Sequence, residues 1–192
     1  MSAEWISDGV VHRFDGRPDG CTAGRTAEPT ADAERRGERP RLLVSACLVG
    51  LCTRYDGGHN RHAAVSGLGG RFTLVPVCPE QLGGLPTPRP PAEIQGEPTE
   101  GGAAEVVLAC DGRDVSSQLH RGAAETLAVA RLVGARAAVL KARSPSCGVH
   151  ETYDGTFTGT LRPGSGVTAG LLRRAGLDLF TEEDIVAGRM PG

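Results

Sequence analysis

Three cysteines follow three of the apolar runs that the sequence predicts to be buried strands. Cys47 comes just after the first run, Cys78 just after the second, and Cys147 a few residues after the fourth. In a parallel sheet the carboxyl ends of the strands lie along one edge, where a ligand crevice forms. Three thiols that converge on such a crevice could bind zinc, bind an iron–sulfur cluster, or act as a nucleophile with resolving partners. Each could also be a small buried hydrophobic residue after a strand.

The number and spacing of the thiols distinguish between these sites. A closed structural zinc site needs four protein ligands, which usually occur as closely spaced pairs, and the six cysteines do not supply two such pairs. Three scattered thiolates suit an iron–sulfur cluster in which one iron is left open to bind a substrate. Cys21 lies in a predicted disordered segment and Cys110 in a predicted turn, so neither is expected to take part. A role for Cys52 is left open.

The elements that would position these thiols are short apolar runs bounded by turn residues. Five runs are typical of buried strands, at residues 42–46, 72–77, 106–109, 136–141 and 177–180. Apolar residues at helical spacing predict helices over residues 116–133 and 167–175, and Thr181 begins a capping box for a last short helix. A further helix could begin at Asn60. This alternation predicts an α/β fold, a single compact domain with a mostly parallel sheet flanked by helices.

The first 40 residues differ from the rest of the chain in composition. Between residues 18 and 40 the sequence is rich in charged residues, Gly and Pro, and a cysteine is its only apolar residue larger than Ala. Such a segment buries too little apolar surface to offset the entropy of ordering. We therefore predict a disordered N-terminal extension over residues 1–40 and a folded domain over residues 41–192.

Charge and hydropathy exclude several classes of function. The formal net charge is −2, and basic and acidic residues balance after residue 40, which argues against duplex nucleic acid as a ligand because that binding needs surplus cations. No run approaches the ~20 apolar residues of a membrane span, and no signal peptide is recognisable, which predicts a cytoplasmic protein without membrane association. The six cysteines are then not expected to form a disulfide framework. The sequence does not indicate an oligomeric state.

Seven motifs in order along the chain resemble the DUF523 family. The motifs read SACLVG, RYDGG, VCPE, LPTPRPPAEI, LKARSPSCG, YDGTF and GSGVTA, and the resemblance as a whole runs from about residue 41 to residue 184. Characterised members of that family are thiouracil desulfurases. The resemblance implies a [4Fe-4S] cluster held by Cys47, Cys78 and Cys147, with the fourth iron free to take the substrate sulfur. Many members have a cysteine directly before the RYDG element, where this chain has Thr53.

The activity that the resemblance implies is a desulfuration without redox change. Its substrate would be a small thiolated pyrimidine such as 2-thiouracil, or a related thioamide, and its products the oxo base and sulfide. A carboxylate must activate the attacking water, and we expect Glu80 to do so, with Glu93 as the second candidate. Ser144 and Ser146, on either side of Pro145, could donate hydrogen bonds to the substrate or to cluster sulfur.

Four residues are candidates for binding the substrate: Arg89, Glu93, Lys141 and Asp56. Lys141 stands out because it is the chain's only lysine and ends a predicted buried strand. Asp56 could instead form only a local turn. Two other functions are left open by the sequence. One is a metal-free, cysteine-based redox enzyme, and the other is a module that binds a cluster or a thiolated base without turnover.

Overall fold

The computed structural model describes residues 39–95 and 106–192 in full, together with the backbone of residues 3–7 and 10–14. The strands are β1 Ala3–Ser7, β2 Val10–Phe14, β3 Arg41–Ser45, β4 Thr73–Val77, β5 Ala92–Ile94, β6 Val107–Ala109, β7 Ala137–Leu140, β8 Glu151–Tyr153, β9 Leu161–Pro163 and β10 Asp178–Thr181. The α-helices are α1 Ala63–Gly67, α2 Pro79–Leu82, α3 Ser116–Val133, α4 Val167–Arg174 and α5 Glu182–Val186, and short 3₁₀ helices span Ala46–Val49 and Leu68–Gly70.

A four-stranded parallel sheet forms the centre of the domain. Its strand order is β10-β7-β3-β4, and every neighbouring pair is parallel. The apolar residues of β3 and β7 are fully buried or nearly so along most of their length, because helices cover both faces of the sheet. This arrangement confirms the predicted α/β fold with a mostly parallel sheet.

Two hydrophobic clusters fill the space between this sheet and the helices. On one face, Leu43 and Leu140 pack with Ala130 of α3 and Leu172 of α4. On the other face, Leu42, Val44 and Val139 pack with Val65 of α1 and Ile185 of α5. Alternate residues of β3 therefore serve opposite layers, as the twofold alternation of a strand requires.

The predicted strand over residues 106–109 forms, but it lies outside the parallel sheet. As β6 it pairs antiparallel with β5, a strand that the sequence did not suggest. The parallel sheet ends instead at β4, which contains Pro76. Proline has no N–H for a further ladder and is confined to edge strands, so this residue suits the position. A second unpredicted hairpin joins β8 to β9.

The predicted helices begin and end close to the expected residues. The helix α3 spans the predicted residues and is closed by Gly134 at a φ of 68°. The capping box at the start of α5 is confirmed, since Thr181 and Asp184 exchange side-chain and backbone hydrogen bonds. Among the described residues, no helix is long and apolar enough to cross a membrane.

The segment before the domain is described only in part. The strands β1 and β2 pair antiparallel inside the stretch predicted to be disordered, and at those residues the structure differs from the prediction. Residues 15–38 lie outside the described residues. The division into an extension over residues 1–40 and a domain over residues 41–192 stays a prediction.

Candidate functional site

A cavity of about 480 Å³ opens at the carboxyl edge of the parallel sheet. It is lined by residues that follow β3, β4 and β7, and by residues of β5 and the β8–β9 hairpin. Cys47, Cys78 and Cys147 all line this cavity. Because β7, β3 and β4 are consecutive in the sheet, their carboxyl ends meet there, as the positions of the three cysteines predicted.

Cys47 is held by the 3₁₀ turn that follows β3. Gly50 ends this turn with a φ of 99°, and the N–H of Asn60 donates to the Cys47 carbonyl at 2.9 Å. Burial raises the pKa of the Cys47 thiol, and a side-chain hydrogen bond with Asn60 opposes that rise. The loop before α1 thus presents a polar side chain to the Cys47 sulfur.

Cys78 occupies the cap position before α2. Its backbone is extended, with φ −123° and ψ 100°, and Pro79 begins the helix. A proline suits the first helical position because the N–H that it lacks has no partner within the helix. The Cys78 Sγ lies 3.8 Å from the carbonyl oxygen of Thr53.

Cys147 lies in a tight turn after β7. The Ser144 Oγ accepts the N–H groups of Ser146 and Cys147, both at 3.1 Å, and the Gly148 N–H donates to the Ser144 carbonyl at 2.9 Å. Burial strongly raises the pKa of the Cys147 thiol, and a hydrogen bond from Ser45, whose Oγ is 3.4 Å from the sulfur, opposes the rise.

The first residues of α4 also hold the turn that carries Cys147. The N–H of Val167 donates to the Pro145 carbonyl at 3.0 Å, and the N–H of Thr168 donates to the Ser146 carbonyl at 2.9 Å. Helix N-termini have unpaired N–H groups, and here the turn carrying Cys147 supplies their acceptors. The position of this thiol therefore depends on α4 as well as on β7.

The donor set fits an iron–sulfur cluster better than a single metal ion. Within the described residues, no three Cys, His, Asp or Glu side chains are grouped closely enough to hold one ion. Three separate thiols around an open cavity suit a larger, thiolate-bound group, since iron–sulfur clusters are held by cysteine thiolates. The hydrogen bonds of Ser45 and Asn60 to the sulfurs are also of the kind that tunes such clusters.

Glu80 also lines the cavity, in the first turn of α2. The Arg89 Nε donates to its Oε2 at 2.6 Å, and both side chains are largely buried. Arg89 further donates to the carbonyls of Thr53 and Pro86 and to the Thr87 hydroxyl. The sequence predicts that Arg89 binds substrate. In the structure its guanidinium instead donates hydrogen bonds to Glu80 and to these three groups of the protein.

Glu93, the second candidate base, holds a loop. Its Oε2 accepts the N–H groups of Gly155 and Phe157, both at 3.0 Å, and the side chain is mostly buried. Phe157 has a φ of 58°, a conformation that costs energy for a residue with a side chain. The carboxylate of Glu93, on β5, thus anchors the YDGTF loop at the cavity.

Ser144 and Ser146 face different surroundings. Ser144 lines the cavity, whereas Ser146 is fully buried and its Oγ lies 2.8 Å from the Thr168 Oγ1. The expectation that Ser146 contacts substrate is therefore not supported, because its hydroxyl is used between the Cys147 turn and α4. Lys141 lines the cavity and forms an ion pair with Glu182.

Asp56 lies outside the cavity lining. It accepts the Gly58 N–H at 2.9 Å and pairs with Arg54, so it shapes the local turn, and a substrate contact has no support from its position. Cys52 and Cys110 are exposed and do not line the cavity. Cys21 lies outside the described residues.

Several residues that line the cavity were not singled out from the sequence: Ser45, Arg54, Tyr55, Asn60 and Tyr153. Arg54, Tyr55 and Tyr153 belong to the RYDGG and YDGTF motifs, so the motifs were a signal that could have found them. Asn60 carried no such signal, since it follows the RYDGG element and reaches Cys47 only through the fold of the loop.

Comparisons with known proteins show the family to which this chain belongs. The 2-thiouracil desulfurase family matches residues 42–184. A protein of Bacillus subtilis (strain 168), described as uncharacterized protein YbbK, is 45% identical over 147 residues, which are 75% of this chain and 97% of that protein. A solved structure, the [4Fe-4S]-dependent thiouracil desulfidase TudS (DUF523Vcz), is 40% identical with a TM-score of 0.67, over 78% of this chain and 95% of its own. By the extent of these matches, this chain belongs to the 2-thiouracil desulfurase family.

Proposed function

We propose that this protein is a [4Fe-4S]-dependent enzyme that removes sulfur from a thiolated pyrimidine such as 2-thiouracil, giving the oxo base and sulfide. The carrying observation is that three thiols, each following a different strand of one sheet, line a single cavity together with Glu80. The family match and the 40% identity to a [4Fe-4S]-dependent thiouracil desulfidase support the same chemistry.

The reaction is a hydrolysis without net oxidation or reduction. Water adds its oxygen to the carbon of the C=S group, the C–S bond breaks, and the two protons of water leave with the products, so C=S and H₂O become C=O and H₂S. Cys47, Cys78 and Cys147 would hold the cluster as thiolates. When bound, the cluster supplies Lewis-acid chemistry with an affinity for sulfur, which makes the carbon more electrophilic and sulfide a better leaving group.

Glu80 is the residue best placed to take the proton from water. Arg89 holds its Oε2, while the Oε1 has no hydrogen-bond partner among the described residues. A carboxylate that is fixed at one oxygen and open at the other can orient a water molecule and accept its proton. Arg89 then acts as a positioning residue, because it binds Glu80 and three groups of the protein.

Ser144 would serve as a hydrogen-bond donor to the substrate. Its Oγ already accepts two backbone N–H groups, so the hydroxyl proton remains to be donated, and the side chain lines the cavity. A donor fixed in this way can stabilise negative charge as it develops on the substrate. Tyr55 and Tyr153 add aromatic surface that suits a planar pyrimidine ring.

Anaerobic purification followed by three measurements tests the proposal. We expect a brown protein with about four irons and four sulfides per chain, and conversion of 2-thiouracil to uracil with one sulfide released per turnover. A colourless protein without iron that still reacts through its cysteines would favour the metal-free redox enzyme. A bound cluster with tight 2-thiouracil binding but no release of sulfide would favour the binding module. Either result would overturn the proposal.

A further inference from the structure

Lys141 and Glu182 meet because of the register between two neighbouring strands. The strands β7 and β10 run parallel with Leu140 opposite Thr181. Lys141 follows the first of these residues and Glu182 the second, so both side chains leave the sheet at the same height. They form an ion pair in which the Lys141 side chain is 27% exposed and the Glu182 side chain 10% exposed.

Glu182 uses both of its carboxylate oxygens to fix this position. Its Oε1 accepts from the Lys141 Nζ, and its Oε2 accepts the N–H of Ala142 at 2.9 Å. Glu182 is itself the first residue of α5, directly after the N-cap residue Thr181 and before Asp184, the other residue of the capping box. A carboxylate at this place is also favoured by the helix dipole. Both carboxylate oxygens of Glu182 therefore have partners within the protein before any ligand is bound.

The Lys141 ammonium group has one N–H donor left for a ligand. Of its three N–H groups, one is given to Glu182 and another to the Ala142 carbonyl at 3.2 Å, and no third partner is found within the described residues. Lys141 also lines the cavity that holds the three cysteines and Glu80. A lysine side chain is otherwise flexible along its four-carbon stem, so the ion pair with Glu182 fixes the position of this N–H donor.

We infer that Glu182 is a positioning residue for the proposed desulfuration, on which this inference rests: it holds the Lys141 ammonium so that the remaining N–H donates to a ring oxygen of the bound pyrimidine. Glu182 does not contact the substrate and acts only through Lys141. Loss of Glu182 should therefore weaken pyrimidine binding no more than loss of Lys141 does.

The first test uses the fact that Lys141 is the only lysine in the chain. Brief acetylation of the cluster-loaded protein without oxygen, followed by mass spectrometry, reports the reactivity of this one ammonium, with the N-terminal amine as internal reference. In Glu182→Gln we expect Lys141 to react at least about tenfold faster, because its Nζ loses a charge-assisted hydrogen bond to the carboxylate. In Glu125→Gln, an exposed residue of α3, the rate should stay as in the wild type. An unchanged rate in Glu182→Gln would show that Glu182 does not hold Lys141.

The second test measures uracil binding by calorimetry in a double-mutant cycle. Glu182→Gln and Lys141→Met should each raise the Kd for uracil about tenfold, and the double variant should bind like Lys141→Met alone, because two residues that act as one unit are not additive. Effects that multiply in the double variant would overturn the inference. Thermal unfolding identifies variants that fail to fold, and Lys141→Met leaves the Glu182 contact to Ala142 in place.

The two proposals can fail separately. A wild-type protein that binds neither uracil nor 2-thiouracil contradicts the proposed function. If the wild type and the Lys141→Met variant bind uracil equally tightly, only the inference about Lys141 and Glu182 is contradicted.

Discussion

Gly83 and Gly122 lie against each other where α2 meets α3, and neither position has room for a side chain. A Cβ on Gly83 would lie 2.0 Å from the Gln118 carbonyl oxygen, and one on Gly122 would lie 1.9 Å from the Pro79 carbonyl oxygen. Arg121 adds hydrogen bonds to the Gly83 carbonyl from the neighbouring position on α3. This contact holds the short helix α2, and with it Glu80, against the longest helix of the domain.

Gly122→Ala should therefore disturb the cavity from a distance. The added methyl must push α2 away from α3, and we expect a loss of about 1–3 kcal/mol in the free energy of unfolding, as for other overpacked sites. Turnover should fall as well, because α2 carries Glu80. Chemical denaturation and a 2-thiouracil assay measure both effects. Gly67→Ala is the control, since a Cβ there meets nothing within 4 Å and the φ is ordinary; equal behaviour of the two variants would contradict the prediction.

Replacing Cys47, Cys78 or Cys147 by serine should in each case remove the cluster or leave it inactive. A hydroxyl is a poorer ligand for iron than a thiolate, and three ligands leave no reserve. Iron content and the visible spectrum of anaerobically purified protein provide the measurement. Cys52→Ser and Cys110→Ser serve as controls, because both residues are exposed and lie outside the cavity lining. Full iron content in any of the first three variants would remove that residue from the ligand set.

Glu80→Gln tests the proposed base. The amide keeps the size of the side chain and an oxygen for Arg89, but it cannot accept a proton from water. We expect an intact cluster spectrum, retained 2-thiouracil binding, and turnover lower by at least ~10²-fold, the lower end for a general base. Glu125→Gln makes the same chemical change on the exposed side of α3. Near-normal turnover in a stably folded Glu80→Gln protein would point to Glu93 instead.

Ser144→Ala and Ser146→Ala should separate a substrate contact from a structural one. Removing the Ser144 hydroxyl should lower turnover about 10²-fold, the effect of losing one preorganised donor. Removing the Ser146 hydroxyl leaves the Thr168 hydroxyl buried without its partner, which should cost about 1–3 kcal/mol of stability while the folded protein keeps its turnover. Denaturation curves and initial rates of both variants measure these effects. The prediction would be wrong if Ser146→Ala lowered turnover and Ser144→Ala lowered only stability.

Asp184 should make the stability of the domain depend on pH. Burial opposes its charge, but hydrogen bonds from Arg189, His150 and Thr181 outweigh burial and hold the pKa of this carboxyl well below its ordinary range. The stabilisation is therefore complete above the unfolded-state pKa of about 3.9 and is lost as the pH falls towards the lower folded-state pKa. Asp184→Asn should cost about 1–3 kcal/mol at pH 6.

The difference between the wild type and Asp184→Asn should shrink below about pH 4, when the wild-type carboxyl begins to lose its advantage over the unfolded state. Urea unfolding of both proteins at pH 6 and pH 3 measures this difference. An equal difference at the two pH values would mean that the charge of Asp184 contributes nothing and that only its shape matters.

Much of the fold is readable from the chain because strands and helices impose their periods on neighbouring residues. The apolar runs at residues 42–46 and 136–141 become β3 and β7, the two strands buried on both faces. Helix α3 has its predicted bounds because its apolar spacing and Gly134 are both local signals. The run at residues 106–109 shows the limit: its strand character is local, but its partner β5 and its place outside the sheet are not.

The grouping of the three thiols can be predicted from the chain alone, because Cys47, Cys78 and Cys147 follow strands whose carboxyl ends must share an edge once the sheet is parallel. The contacts of the polar residues around these thiols depend on the packing of the folded domain. Ser144 and Ser146 are two residues apart, yet one lines the cavity and the other bonds to Thr168 in the core. Arg89 reaches Glu80, and Glu182 reaches Lys141 across 41 residues. A side chain's partner depends on where distant segments pack, and that information is absent from the local pattern of the chain.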